Sequence, residues 1–353
     1  MSSSAILLFG GQSSERRVSV ASAQYLAQVM PECLGWFWAP DGSVIEVESD
    51  ALSVHENAFK KDFNPTKTGA YTYKSITEAV EQEAQRHTPR TVFIGLHGGA
   101  GENGDIQAIF ERAQVPFTAS GAQASALAFK KDAAKQTMRE AGIRVAPELF
   151  IPSGDVVRGR EVLDEMVTRY GRVVLKPNAD GSSHGLFIVE NDVQKENALF
   201  WVESHPNMSC LVEAFIRGRE MTTGVVMMED GLKALPSSEV IMETGRVFDY
   251  EGKYLGEGST EVTPAEISDS LAQRLGRLAC EAHSLLGCYG YSRTDFLVDD
   301  NGPVFIETNT LPGLTSASFI PQQLDAAGIS MLSFLKTQIL LAPTRFGAPK
   351  DYL

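Results

Sequence analysis

Residues 293–309 constrain this chain most, because they set charged side chains into strands that look covered on both faces. Arg293 and Asp295 stand two residues apart, as do Glu307 and Asn309, with Asp300-Asn301-Gly302 between the two pairs. Positions i and i+2 of a strand share a face, so each pair is one-sided. Phe296, Leu297 and Val298, then Val304, Phe305 and Ile306, are apolar on both parities. A carboxylate in such a strand needs a partner or a metal. Two registers are open. A three-residue loop over 300–302, with Gly302 left-handed, sets Asp295 opposite Glu307 and Arg293 opposite Asn309. A two-residue Asn301-Gly302 turn slips the pairing by one and separates them. In the first register three hard oxygen ligands meet beside a guanidinium, which suits Mg²⁺ bound together with phosphate. The plain alternative is a solvated hairpin whose charges do nothing.

A length of 353 residues suits two or three domains of roughly 100–200 residues each. The net charge of −14 argues against a general nucleic-acid binder, which carries a basic footprint. ATP stays open, since its phosphates need a few local lysines and backbone amides rather than global charge. The four cysteines, Cys33, Cys210, Cys280 and Cys288, form no C-x-x-C pair and no zinc spacing with histidine, so buried free thiols in a reducing compartment are expected. The apolar run 5–9 stops at Gly10-Gly11 and lacks a basic lead-in, so it reads as a first strand rather than a signal peptide. No run approaches a membrane span in length. A cytoplasmic enzyme is the expectation.

The first third alternates strands at 5–9, 35–39 and 91–96 with helices at 13–30, 75–86 and 105–113. This rhythm predicts a parallel sheet with ligand loops at its strand ends. A small α+β unit follows from about 121. It holds helices at 122–129 and 131–141, a strand pair at 172–176 and 186–190, and a strand at 210–215. The last part holds a strand at 220–228, a long helix across 268–286, the hairpin, and a helix near 331–341.

Several loops carry chemistry. Gly10-Gly11 follows a strand and precedes Glu15 in the first turn of a helix. The spacing fails the dinucleotide fingerprint. It leaves either a simple strand–helix turn or a small-ligand site in which Glu15 holds the ammonium of an amino acid. The stretch 97–104 has four glycines in eight residues, more than a plain connector needs. His97 within it is either structural or ligand-facing. Lys176 leads a Gly/Ser loop between two strands, which is not a Walker loop. Ser182, Ser183 and backbone amides there make it a candidate flap over phosphates, with a mobile surface hairpin as the alternative. Lys253 can reach a phosphate and Tyr254 can lid the site, although 249–258 taken alone reads as a solvated loop. Glu213 ends an apolar strand and Glu220 opens the next. Either can take a ribose or an adenine edge.

Taken in order, these five motifs resemble the D-alanine–D-alanine ligases of the ATP-grasp superfamily, from Gly10-Gly11 through Thr315-Ser316. The resemblance implies a three-domain α/β fold: a Rossmann-like domain over 1–120 binding the first substrate, a central ATP-grasp subdomain over 121–216, and a C-terminal one over 217–353 carrying the metal and second-substrate sites. It implies that ATP phosphorylates one D-alanine and that a second attacks the acylphosphate, in peptidoglycan precursor synthesis. Carried over by motif, Glu15 binds the first ammonium, with Val18 and His97 lining that subsite. Lys131, Lys176 and Lys253 contact phosphates. Ser182 and Ser183 lie in the flap, and Ser182 meets Tyr254 on closure. Glu213, Ala214, Phe215 and Ile216 form the adenine strand, with Glu220 on the ribose. Asp295, Glu307 and Asn309 hold two Mg²⁺ ions, which Mn²⁺ can replace. Arg293 and the Gly313 amide stabilise the oxyanion, and Ser318 anchors the second carboxylate. A cytoplasmic homodimer with no membrane or nucleic-acid partner completes the expectation.

Asn103, Phe129-Lys130, His184, Ala214 and Val247-Phe248 depart from the family's usual Asp, Met-Asp, Val, Lys or Gln, and Phe-Tyr. These departures touch affinity and lid packing and leave the reaction type standing. Tyr254 argues against D-lactate as second substrate, whereas D-serine, one hydroxyl larger than D-alanine, stays open. More distant alternatives are another ATP-grasp ligase, a silent nucleotide-binding module, and a nicotinamide oxidoreductase.

Overall fold

The computed structural model describes residues 5–65, 71–179, 181, 185–242 and 259–346. Strand β1 (Ala5–Gly10) is buried throughout, as its unbroken apolar run requires of a central strand. The chain continues through α1 (Arg16–Val29), β2 (Leu34–Trp38), β3 (Val44–Val47), α2 (Ser49–Ser53), β4 (Thr72–Tyr73), α3 (Ile76–Ala84), β5 (Thr91–Ile94) and α4 (Asp105–Ala113). The sheet order is β4-β3-β2-β1-β5, and β1 is parallel to both β2 and β5. The expected parallel core is therefore present, with β3 and β4 added antiparallel at one edge. Gly10 sits at φ +92°, and a Cβ there would lie 2.6 Å from the Trp38 carbonyl oxygen. Only glycine fits that close approach of two strand ends.

Next come α5 (Ala122–Phe129), α6 (Lys131–Glu140), β6 (Glu148–Ile151), α7 (Val156–Tyr170), β7 (Val173–Pro177), β8 (Phe187–Val189), α8 (Asp192–Ser204) and β9 (Cys210–Ala214). The four strands form an antiparallel sheet in the order β6-β9-β7-β8. Helices α7 and α8, which the reading above does not contain, bury Val162, Leu163, Met166, Leu199 and Val202 against it.

The third sheet comprises β10 (Arg219–Met228), β11 (Gly231–Ala234), β12 (Ser238–Met242), β13 (Ser259–Val262), β14 (Tyr291–Asp299) and β15 (Gly302–Asn309). Its path is β13-β12-β10-β14-β15, with β11 paired to β10. Helix α9 (Asp269–Leu285) packs on it, and α10 (Phe319–Ala326) and α11 (Met331–Leu341) close the chain. No helix among the described residues is long and apolar enough to cross a membrane alone.

The β14–β15 turn differs from both loops considered above, while the pairing of the first register is present. Asp299 pairs with Gly302, so the loop is Asp300-Asn301, and Gly302 is left-handed at φ +105°. The ladder runs in that register to Phe296 opposite Phe305, then shifts by one beside Asp295. A bulge adds one residue to one strand. Here it restores Asp295 opposite Glu307 and Arg293 opposite Asn309. Arg144 pins the turn through both Asp299 carboxylate oxygens at 2.6 Å and the Gly302 carbonyl at 3.1 Å.

Helix α9 buries His283, whose Nδ1 lies 2.7 Å from Ser292 Oγ, and burial pushes its pKa down from 6.5 to about 4. The unfolded chain takes up this proton first on acidification, so stability is lost as pH falls from 6.5 towards 4. The loss attributable to this ring is about 3 kcal/mol by pH 4. Urea unfolding at pH 7 and pH 4.5 is expected to show a smaller acid loss for His283→Gln than for the unaltered chain; equal losses would remove His283 as the cause.

Candidate active site

Three sheets bring their loop ends to one cleft. At its first wall, Glu15 precedes α1 and is 9% exposed. Its backbone N–H donates to Ser13 Oγ at 3.2 Å, and Ser13 Oγ donates to the His97 carbonyl at 2.6 Å. The glycine-rich turn and the 97–104 loop are thus tied together. A Cβ on Gly98 would collide with the Glu15 carboxylate, and a Cβ on Gly181 of the Gly/Ser loop would come 3.7 Å from Glu15 Oε2. Gly98 is favoured by its left-handed φ of +68°, where a side chain would be strained, and the loop after β7 reaches the first wall.

His97 is buried with Nε2 3.0 Å from Ser22 Oγ. Burial lowers its pKa to about 4 against the Leu311 carbonyl, with Arg293 adding to the fall, so the ring is neutral at physiological pH. Glu102, which sequence reading missed, accepts from the Gly98 N–H at 2.9 Å. Burial, followed by the neighbouring Glu15, raises its carboxyl well above the ordinary range. Its position within a glycine-rich loop was a usable signal. Val18, on α1, is wholly buried.

The second wall is the hairpin. Arg293 forks onto Asp295, Nε to Oδ1 at 2.9 Å and Nη2 to Oδ2 at 2.8 Å. Thr222 on β10 donates to the same Oδ1 at 2.5 Å. Glu307 faces Asp295 across the ladder and lies 3.2 Å from Lys131 Nζ at the start of α6. Asn309 Oδ1 accepts from the Leu311 N–H at 2.9 Å, fixing the loop that follows. Ser318 stands just before α10, and its hydroxyl lies 2.8 Å from that of Thr315. A Cβ on Gly313 would lie 2.7 Å from Ser318 Oγ.

The third wall is the central sheet. Lys176 on β7 lies 2.8 Å from Glu213 Oε1 on β9. Burial lowers the Lys176 pKa, but Glu213 and Glu307 outweigh it and raise the result. Glu213 is pulled down to about 2 despite burial, by Lys135 and Lys176. Lys135 and Glu148 were missed. The first repeats Lys131 at i+4 on one helix face, a visible pattern, whereas nothing in the sequence singles out Glu148. Ala214 ends β9, with its N–H on the Pro147 carbonyl at 2.9 Å, and Phe215 donates to the Arg172 carbonyl at 3.0 Å. Ile216 is half-buried just beyond, and Glu220 stands on β10 opposite Leu297. Asn178 joins the walls, donating to Asp132 Oδ1 at 2.8 Å while its carbonyl accepts from Lys131 N–H at 3.0 Å. Ser182, Ser183, His184, Val247-Phe248, Lys253 and Tyr254 lie outside the described residues.

Lys131 beside Glu307 and Lys176 beside Glu213, with the Arg293–Asp295 fork and Glu15, put cations and carboxylates together in a form that can meet phosphate and a small charged molecule. Among the described residues no three His, Cys, Asp or Glu side chains cluster as a metal cage. The donor set on β14 and β15 is instead two carboxylates and one amide, oxygen ligands of the kind Mg²⁺ takes alongside phosphate.

A parallel α/β domain followed by two largely antiparallel sheets enclosing such a cleft defines an ATP-grasp protein. Models of the D-ala D-ala ligase N-terminus and C-terminus match residues 4–120 and 137–340. A D-alanine--D-alanine ligase of Leptospira interrogans serovar Lai is 34% identical over 342 residues, covering 92% of this chain and 94% of that protein. Among solved structures, the VanG D-Ala:D-Ser ligase of Enterococcus faecalis aligns with TM-score 0.80 and 27% identity over 96% of this chain and 98% of that one. The D-alanine-D-alanine ligase of Coxiella burnetii shares the fold at TM-score 0.80 and 23% identity, over 99% of this chain and 96% of that one. The chain belongs to the D-alanine–D-alanine ligase family.

Proposed function

We propose that the protein joins two D-alanines with ATP to give D-alanyl-D-alanine, ADP and phosphate for peptidoglycan precursor synthesis. The observation that carries this reading is the single cleft in which Lys131 and Glu307 pair at 3.2 Å while Arg293 borders both Asp295 and the buried His97. A carboxylate is unreactive towards an amine because its oxygen leaves poorly. One carboxylate oxygen of the first D-alanine attacks the γ-phosphorus and ADP departs. The amine of the second D-alanine, having lost its ammonium proton, adds to the acyl carbon; as the tetrahedral intermediate collapses, its nitrogen gives up a further proton and phosphate leaves with the bridging oxygen. Positioning and charge neutralisation supply most of the rate.

In this reading Glu15 binds the first ammonium, with Val18 packed behind it. His97, neutral, lines the subsite as a hydrogen-bonding group without charge. Lys131, Lys176 and Lys253 hold phosphates under Ser182 and Ser183, with Tyr254 closing over them. Glu213 through Ile216 border the nucleotide base and Glu220 its ribose. Asp295, Glu307 and Asn309 would hold Mg²⁺, which neutralises phosphate charge when bound. Arg293 and the Gly313 N–H receive the tetrahedral oxyanion, and Ser318 takes the second carboxylate. The divisions at 120 and 216, a homodimer and a cytoplasmic setting belong to the same reading, drawn from family resemblance.

A D-serine second substrate is the alternative, favoured by the likeness to a D-Ala:D-Ser ligase and by the weak discrimination of pockets against one added hydroxyl. ADP release is measured with D-alanine, L-alanine, D-serine or D-lactate, and products are weighed. ADP release with D-alanine alone, with the D-alanyl-D-alanine mass, is expected. A D-alanyl-D-serine product in preference would select the alternative, and no ADP with any D-alanine mixture would overturn both.

A further inference from the structure

Lys135 is wholly buried on α6, one turn beyond Lys131 and outside the chemistry assigned above. Its Nζ lies 2.5 Å from Glu213 Oε1 and 3.2 Å from Glu148 Oε2. Those glutamates are direct cross-strand partners on β9 and β6, a like-charge pairing that is unfavourable unless a cation stands beside it. Each glutamate already has another cation: Lys176 lies 2.8 Å from Glu213, and Arg139 lies 2.8 Å from Glu148. Lys135 is thus a third cation against two carboxylates.

Stability alone does not account for it. Lys135 Nζ meets Glu213 Oε1 at 2.5 Å and Glu148 Oε2 at 3.2 Å as buried charges, and buried ion pairs cost about as much as they return. An apolar side chain of similar length, such as Met138 one turn on, would fill the space. Among the described residues both ion pairs of Glu213 fall on Oε1, which turns Oε2 into the atom left to accept from a ligand. Lys176 is shared with Glu307 through the cleft, whereas Lys135 divides between Glu213 at 2.5 Å and Glu148 at 3.2 Å and lies nearer to Glu213.

We propose that Lys135 is a positioning residue that holds Glu213 ionised and fixed in the cleft, and thereby sets affinity for the nucleotide rather than the rate of bond formation. This rests on the reading of the cleft as an ATP site. Lys135 touches neither substrate nor phosphate in this scheme. It acts through Glu213, and Glu148 serves only to balance its second side.

ATP binding with Mg²⁺ is measured by calorimetry on the full chain, beside kcat and KM. Lys135→Met is expected to weaken ATP binding and raise its KM by about tenfold or more, the scale of a buried charge partner removed. At saturating ATP, kcat and the KM for D-alanine are expected to stay within about twofold of the unaltered chain, well under the 1.4 kcal/mol of a tenfold change. Glu148→Gln, which leaves the Lys135–Glu213 pair in place, is expected to lower the melting temperature without weakening ATP. An unchanged ATP affinity in Lys135→Met would overturn the inference while leaving the ligase reading intact. If the Met variant does not fold, Glu148→Gln decides: ATP affinity falling together with stability would show a purely structural network. Failure of the unaltered chain to bind ATP would overturn the nucleotide reading and this inference with it.

Discussion

Glu307→Gln is expected to reduce turnover by roughly three orders of magnitude, the rate equivalent of the several kcal/mol that a divalent cation supplies to phosphoryl transfer. The carboxylate stands opposite Asp295 in the β14–β15 ladder and 3.2 Å from Lys131. An amide of the same shape keeps the packing but withdraws the charge from both the lysine and the proposed metal. The side chain is 27% exposed, so the fold has little reason to suffer. ADP release under saturating ATP and D-alanine measures the loss, and a thermal melt separates it from unfolding. Turnover within tenfold of the unaltered chain would place the metal elsewhere.

Arg293→Ala is expected to cost about 2.7–4 kcal/mol in the transition state, or 10²–10³ in kcat, the scale of one lost oxyanion donor. Part of the effect passes through Asp295, because the guanidinium fork occupies both of its oxygens at 2.9 and 2.8 Å. Removing it leaves a carboxylate with 8% exposure that keeps the Thr222 hydroxyl as a side-chain donor. Arg293→Lys separates the two contributions, since it restores a charge without the planar fork. Partial recovery of kcat is expected. ADP formation surviving Arg293→Ala unchanged would remove the arginine from the oxyanion site.

Much of the fold was legible because local signals agreed with burial. Helices over 105–113, 122–129 and 331–341 were bounded by glycine, serine or a clear apolar stripe, and the structure keeps those limits. The parallel β1, β2 and β5 announced themselves by continuous apolar runs. The antiparallel strands at the other side of that sheet did not. β3 and β4 lie in a polar stretch and owe their form to pairing, β3 with β2 and β4 with β3, which only the tertiary fold supplies. Helices α7 and α8 went unread although both bury apolar residues at helical spacing.

The cleft shows the same division. Parity set Arg293 beside Asp295 and Glu307 beside Asn309, but whether the pairs faced each other hung on the turn, and neither turn considered is the one observed. The observed two-residue loop reaches that pairing by a bulge, and sequence spacing cannot tell a longer loop from a shorter loop plus a bulge. Lys135 and Glu148 escaped for another reason. They are 13 residues apart in sequence and meet only when α6 packs beside β6 and β9.

The most direct test of chemistry in this cleft uses D-alanine labelled with oxygen-18 in both carboxylate oxygens, unlabelled ATP, and mass analysis of the released phosphate. If a carboxylate oxygen attacks the γ-phosphorus and later leaves with it, each phosphate carries one oxygen-18 atom and ADP carries none. Dipeptide formed with unlabelled phosphate would contradict the acylphosphate route and the roles assigned to Arg293, Asp295 and Glu307 with it.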